Sequence, residues 1–156
     1  MVSRAAPPDL AEILNVQKQA FLPVAAKTNQ FDIPPLMQTR QEIEAEFGRR
    51  VFLKYVLGSR IVGSVRAHLD SGGLCQIGKL VVLPEHQNQG IGKQLMQAVH
   101  AAFPDCAGYE LFTAEDNAAT VSFYTKLGYQ PVHAKTLGGV PMVFLRKENN
   151  HASDRG

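Results

Sequence analysis

The run LVVLPEHQNQGIGK at positions 80–93 decides how this chain is read. A strand-like apolar stretch stops at Pro84, and from 90 to 103 the apolar residues Ile91, Leu95, Met96, Val99 and Phe103 recur at helical spacing. Gly90 and Gly92 therefore stand between the end of a strand and the start of a helix. The first turn of a helix carries unpaired N–H groups and a partial positive charge, so it draws phosphate. Glycines there remove the Cβ atoms that would hold a bulky diphosphate off the backbone. Gln87 and Gln89 add side-chain donors, and Lys93 adds a positive charge without demanding a metal. The plain alternative is a tight turn and nothing more. The run is not a P-loop, since no Gly-Lys-Ser/Thr follows a four-residue spacer, and it lacks the third glycine of the dinucleotide fingerprint.

Upstream of this run, residues 2–5 read as a short strand and Pro7-Pro8 as the opening of a helix. Leu10, Ile13, Leu14, Val16 and Phe21 give a helix over 9–21 its apolar side; Pro23 is expected to end it and 24–37 to be a loop. Thr39 stands three residues before Glu42, a capping box for a short helix carrying Ile43 and Phe47. Strands follow at 51–57, 61–69 and 74–83, punctuated by Gly58-Ser59-Arg60 and Asp70-Ser71-Gly72-Gly73. Downstream, Pro104-Asp105 closes the central helix, 109–113 is a strand, and 117–127 is a helix stopped by Gly128. Strands 129–137 and 140–146, joined by Gly138-Gly139, close the chain as a hairpin. The order is β-α-α-β-β-β-α-β-α-β-β. It predicts one α/β domain over 1–147, with a mostly antiparallel sheet of about seven strands, one right-handed β-α-β parallel crossover and four helices. Residues 148–156 read as a polar, frayed tail.

Composition bounds the function. The 156 residues are 45% hydrophobic and 19% charged, a globular balance, and 16 basic against 14 acidic residues leave a formal charge of +2. That charge is scattered, which speaks against a nucleic-acid partner. No apolar stretch approaches the ~20 residues that cross a bilayer, so no membrane partner is expected. The amino terminus MVSRAAPPD has no hydrophobic signal core, which reads as a cytosolic protein. Cys75 and Cys106 form no C-x-x-C pair and read as reduced thiols, buried or half buried. No histidine falls at metal-binding spacing and no carboxylate cluster resembles a metal cage, so no metal is expected.

The string Q-x-x-G-x-G after a hydrophobic strand and Leu83-Pro84-Glu85 resembles the acetyl-coenzyme A motif of the GNAT N-acetyltransferase superfamily. A second segment, NAATVSFYTKLGY at 117–129, is similar to that family's N-x-x-A-x-x-F-Y-x-K-x-G-F/Y. The motifs cover 80–129, and the element order agrees along nearly the whole chain. The resemblance implies acetyl transfer from acetyl-CoA to a primary amine of a small molecule or peptide, by direct attack in a ternary complex. It implies that Leu80, Val81 and Val82 present backbone groups to the pantetheine arm, as an added strand would receive them. Gln87, Asn88, Gln89, Gly90, Ile91, Gly92 and Lys93 fall where the family wraps the pyrophosphate. Asn117 matches the asparagine beside the pantetheine, and Tyr124 the tyrosine near the thioester sulfur. A tyrosine of ordinary pKa, about 10, is protonated at neutral pH and can hand a proton to the departing thiolate. The residues alone also read as an aromatic packing a helix on the sheet for Tyr124, and as a helix N-cap for Asn117.

The match has gaps. Where some relatives carry a glutamate base, this chain has Gly78 and Phe112. Glu110, Glu115 and Asp116 read as solvated surface charges, His68 as an edge residue, and His86 as exposed. Cys75 has no His–Asp partner pattern and is not expected to be a nucleophile. The base stays open between a direct carboxylate, a water chain and none. The acceptor would lie against 21–37, with Phe31, Ile33 and Leu36, and against 133–140, a lining more apolar than acidic. A homodimer also stays open. The second class of function is a non-catalytic acyl-CoA-binding or sensing module.

Overall fold

A computed structural model describes residues 1–149. Its strands are β1 (Val2–Arg4), β2 (Val51–Leu57), β3 (Arg60–Leu69), β4 (Leu74–Val82), β5 (Gly108–Ala114), β6 (Gln130–Leu137) and β7 (Val140–Glu148). Its helices are α1 (Leu10–Thr28), α2 (Pro34–Met37), α3 (Arg40–Phe47), α4 (Ile91–Ala102) and α5 (Ala118–Lys126). The seven strands form one sheet in the order β1-β2-β3-β4-β5-β7-β6. Leu74–Gln76 of β4 run parallel to Gly108–Glu110 of β5, with α4 as the crossover. The ladders β1–β2, β2–β3, β5–β7 and β6–β7 are antiparallel. This is the mixed α/β domain the motif order predicts, with α2 as one added turn.

By packing, the described residues group into two compact units, Met1–His68 with Lys79–Ala101, and Leu69–Gly78 with 102–149. In the first unit, Leu10, Ile13 and Val16 of α1 are buried as the apolar spacing requires, and so are Ile91, Leu95, Met96 and Val99 of α4. Each such side chain contributes roughly 1.5–3 kcal/mol by leaving water. Gly63 on β3 permits the closest approach. A Cβ there would lie 3.1 Å from Leu95, 3.2 Å from Ile91 and 3.2 Å from the Val81 carbonyl. The expected capping box of α3 forms, with Thr39 Oγ1 accepting from the Glu42 N–H (3.2 Å) and Glu42 accepting from the Thr39 N–H (2.9 Å).

The expected stop at Pro23 is corrected: α1 continues through it to Thr28. A proline inside a helix removes one N–H bond without removing the bonds beyond it. Here Ala25 is fully buried, and Asn29 takes the left-handed conformation (φ 53) that closes the helix by donating to the Ala25 carbonyl. The loop expected at 24–37 accordingly shrinks, and Pro34–Met37 form the single turn α2.

In the second unit, Tyr109, Leu111, Tyr129 and Leu145 are buried, whereas β6, the last strand of the sheet, is exposed along most of its length. The 70–73 turn closes on Asp70 Oδ1, which accepts from the N–H groups of Gly72 and Leu74. Residues 148 and 149, expected in the tail, are instead part of the fold. Glu148 ends β7, and Asn149 is buried, its amide donating to the carbonyls of Pro104 (2.8 Å) and Cys106 (2.9 Å). The remaining tail, 150–156, lies outside the described residues.

Candidate active site

The end of β4 passes through a 3-10 turn at Pro84–His86 into the residues leading to α4. Gln87 folds back so that its Nε2 donates to the Val82 carbonyl at 3.0 Å, which holds the turn and occupies that strand carbonyl. Asn88 (φ 63) and Gly90 (φ 82) both adopt left-handed backbone on either side of Gln89. Left-handed residues in a turn swing successive N–H groups to one side and make a concavity for an anion. The first bond of α4 runs from Gln94 N to the Gly90 carbonyl. The N–H groups of Ile91, Gly92 and Lys93 thus have no acceptor within the helix, and the helix dipole adds partial positive charge there. Ile91 is buried and anchors the turn, while Gln89, Gly90 and Lys93 are exposed. Nothing lies within 4 Å of a Cβ built on Gly90, so the concavity is open. These residues fit a diphosphate.

In the second unit, Asn117 caps α5, its Oδ1 accepting from Thr120 N at 3.2 Å. Tyr124 is buried, 8% exposed, with its ring edge-on to Phe123 (5.1 Å) and Tyr129 (5.9 Å). Burial raises its phenol well above the ordinary value, so the hydroxyl keeps its proton throughout the neutral range. Leu80 and Val82 are half-buried and Val81 buried, the alternation of a strand.

Glu110 is not the solvated charge expected; it is 7% exposed. Its Oε2 accepts from Arg146 Nη2 at 2.6 Å and its Oε1 from Gln76 Nε2 at 3.0 Å. Burial pushes this carboxyl up, but the bonds and charge of Arg146 with the bond from Gln76 outweigh it and hold it below the usual range. Glu115 and Asp116 are exposed. A Cβ at Gly78 would meet nothing within 4 Å, and Phe112, 49% exposed, packs on Phe144, itself stacked on His133 at 4.4 Å. His68 and His86 are half-buried, the latter against expectation. Cys75 and Cys106 are free, buried thiols. Burial, with Cys106 and Asp70, pushes the Cys75 thiol up to about 12, which removes it as a nucleophile. Of the apolar candidates for an acceptor wall, Phe31 is exposed and Ile33 and Leu36 are half-buried. Among the described residues no group of three His, Cys, Asp or Glu side chains is placed to hold a metal ion, and no helix is long and apolar enough to cross a membrane.

Sequence reading misses a polar cluster inside the first unit. Arg66 on β3 is 2% exposed, its guanidinium 4.7 Å from the Phe52 ring centroid. Nη1 donates to Glu46 Oε1 (2.7 Å) and Gln38 Oε1 (3.1 Å), and Nη2 donates to Gln17 Oε1. Gln17 Nε2 donates to the Pro35 carbonyl (2.8 Å) and to Gln38 Oε1 (3.0 Å), and Gln38 Nε2 to Glu46 Oε1 (2.7 Å). The available signal is Gln17, a polar residue next to Val16 in an apolar helix stripe.

Comparison with known proteins gives a family. The sequence model of the Acetyltransferase (GNAT) family matches residues 10–129. The chain is 33% identical over 119 residues to the UPF0157 protein YqkA of Bacillus subtilis (strain 168), covering 76% of this chain and 34% of that protein. It thus spans about a third of that relative's length. An uncharacterized N-acetyltransferase in the lysA 3′ region of Bacillus methanolicus is 31% identical over 93 residues, 60% of this chain and 74% of its own. Among solved structures, the PaiA N-acetyltransferase of Thermoplasma acidophilum, in complex with coenzyme A, superposes with a TM-score of 0.79 at 16% identity, covering 95% of this chain and 98% of that one. That likeness is one of fold.

Proposed function

The chain belongs to the GNAT acetyltransferase family, and on that premise we propose that it carries an acetyl group from acetyl-CoA to a primary amine of a small molecule or peptide, by direct attack in a ternary complex. The left-handed turn at Asn88 and Gly90, opening onto the first turn of α4, is the observation that supports this reading. Residues 87–93 bind the pyrophosphate through backbone N–H groups, with Lys93 adding charge. Leu80, Val81 and Val82 hold the pantetheine arm by main-chain hydrogen bonds, and one of their N–H groups stabilises the oxyanion. Acetyl-CoA supplies the activated acyl group. Asn117, beyond capping α5, orients the arm.

Tyr124 donates its proton to the sulfur as the thiolate departs. Its raised pKa makes it a weak acid, so it acts late, when charge on the sulfur is largest. No carboxylate takes the amine proton, since Glu110 is held by Arg146 and the two relevant strand positions carry Gly78 and Phe112. Water takes it, from the ammonium before attack or, where the amine arrives neutral, from the nitrogen of the tetrahedral intermediate, and solvent returns a proton to Tyr124. That missing base is also what favours the second reading, an acyl-CoA sensor without turnover.

A panel of primary amines with acetyl-CoA, read by release of free thiol, decides between them. Turnover with an amine supports the enzyme; coenzyme A binding with no turnover across the panel supports the sensor. In Tyr124→Phe, coenzyme A binding is kept and kcat falls about 10²-fold, the usual range for a lost general acid. A kcat equal to wild type assigns the proton to another donor.

A further inference from the structure

The cluster around Arg66 has more donors than acceptors. Glu46 Oε1 accepts from Gln38 Nε2, Arg66 Nη1 and Lys79 Nζ, and Gln38 Oε1 accepts from Gln17 Nε2, Arg66 Nη1 and Lys79 Nζ. An oxygen offers two lone pairs, so each carries one donor too many. Lys79 is served last, at 3.4 Å and 3.3 Å, where the other bonds are 2.7–3.1 Å. Arg66 Nε is buried with no partner at all. The charges are unequal too. Arg66, Lys79 and Arg50, whose Nε stands 3.6 Å from Glu46 Oε2, surround the single carboxylate of Glu46. Burial, and then the charge of Arg66, lower the Lys79 ammonium's pKa against the opposing pull of Glu46.

With Arg50, whose side chain is 34% exposed, Lys79 is where this donor-rich cluster reaches solvent. Its side chain is 27% exposed, against 2% for Arg66. It sits in β4 with φ 49, a backbone conformation that costs a side-chain-bearing residue energy and that no turn requires of it. Leu80, the next residue, begins the last three residues of β4, assigned above to the pantetheine arm.

We propose that Lys79, with Arg50 and the cluster behind it, forms an anion subsite that takes the carboxylate of the acceptor, so that the amine substrate is an amino-carboxylate. This rests on the acetyl-transfer reading and narrows its substrate class. An acceptor carboxylate supplies the oxygens the cluster lacks and balances its excess charge, in a setting where charge-assisted bonds are strong. A neutral alkylamine does neither.

The test compares kcat/KM for glycine, 4-aminobutyrate and 6-aminohexanoate with that for methylamine, propylamine and pentylamine, which lack only the carboxylate. Wild type is expected to favour the best amino-carboxylate by about tenfold or more, the equivalent of one good charged contact. In Lys79→Gln that ratio falls toward one, and Lys79→Arg restores most of it. Arg50→Gln, at a half-buried position, lowers it in part. A parallel arm needs no turnover: hexanoate raises the melting temperature of wild type but not of Lys79→Gln, and hexanamide shifts neither. A ratio near one in wild type at every chain length, or a ratio that survives Lys79→Gln, overturns the subsite. If no amine turns over, the acetyl-transfer reading fails, and the hexanoate arm still decides: a shift confined to wild type keeps the anion subsite, and no shift removes it.

Discussion

The turn at 87–93 and the cluster around Arg66 lie in the same compact unit and are built in opposite ways. The turn is made of backbone. Its shape comes from two left-handed residues two positions apart, its charge from a helix end, and its one internal side-chain bond from Gln87 to Val82. The cluster is made of side chains drawn from positions 17, 38, 46, 66 and 79, supplied by α1, the residue that follows α2, α3, β3 and β4. A site made from contiguous backbone tolerates changes in most of its side chains but not in its φ angles. A site made from dispersed side chains is the reverse: each partner is buried with the rest, and removing one strands the others.

The largest expected effect breaks the cluster. Arg66→Leu removes the bonds to Gln17, Gln38 and Glu46 and leaves the buried Glu46 carboxylate with fewer counter-charges. Breaking a buried pair by removing one partner costs about 3 kcal/mol or more. Urea unfolding of the variant should show a loss of that size. A loss below about 1 kcal/mol would class the contact with surface ion pairs and dissolve the contrast.

Gly90→Val breaks the turn instead. A Cβ at this position meets nothing within 4 Å, so the substitution does not clash; it forbids φ 82, and a β-branched residue tolerates left-handed backbone worst. Relaxing the turn withdraws two or so N–H groups from the pyrophosphate. At about 1.5 kcal/mol for each charged hydrogen bond, coenzyme A affinity should fall about 10²-fold. Calorimetric titration with coenzyme A checks this, with Arg66→Leu as the control whose affinity stays near wild type. An unchanged affinity in folded Gly90→Val takes the pyrophosphate away from this turn.

What could be read in the sequence follows the same division. Strand and helix order was legible because each element announces itself locally, by period, cap or turn. Thr39 with Glu42, Gly58 in the first hairpin and Gly128 after α5 are such signals. The presence of a turn was legible because Gly90 and Gly92 stand at a strand–helix junction, but its left-handed backbone falls on Asn88 and Gly90 and not on Gly92. Glu110 and Arg66 were not. Both lie on strands where a charge reads as a solvent-facing residue, and their burial depends on Arg146, Gln76, Glu46 and Gln17, partners 36, 34, 20 and 49 residues away. The run of α1 through Pro23 escaped for a related reason. The buried Ala25 and the left-handed Asn29 beyond it outweigh one missing N–H.

The smallest effect sharpens the comparison through pH. Burial pushes the Glu46 carboxyl up, but the charge of Arg66, the bond from Gln38 and the charges of Lys79 and Arg50 outweigh it and leave the folded value below the usual one. A carboxyl lowered on folding stabilises the protein above its unfolded pKa, about 4.3, and that contribution is lost as pH falls through the folded value. Glu46→Gln has no such group. The stability gap between wild type and Glu46→Gln should therefore be widest near neutrality and narrow as the solution is acidified below about 4.3. Asp9, Glu42 and Glu110, also lowered, titrate in both proteins and cancel in the difference. Urea unfolding of the pair from neutral pH down to the acid limit of the folded state measures the gap. The turn supplies the contrast: no carboxylate stands within 87–93, so the gap between wild type and Gly90→Val should not change with pH. A pH-independent gap for Glu46→Gln would mean that the carboxylate is no better held in the folded cluster than in the unfolded chain, and the cluster would then be a packing arrangement without an electrostatic centre.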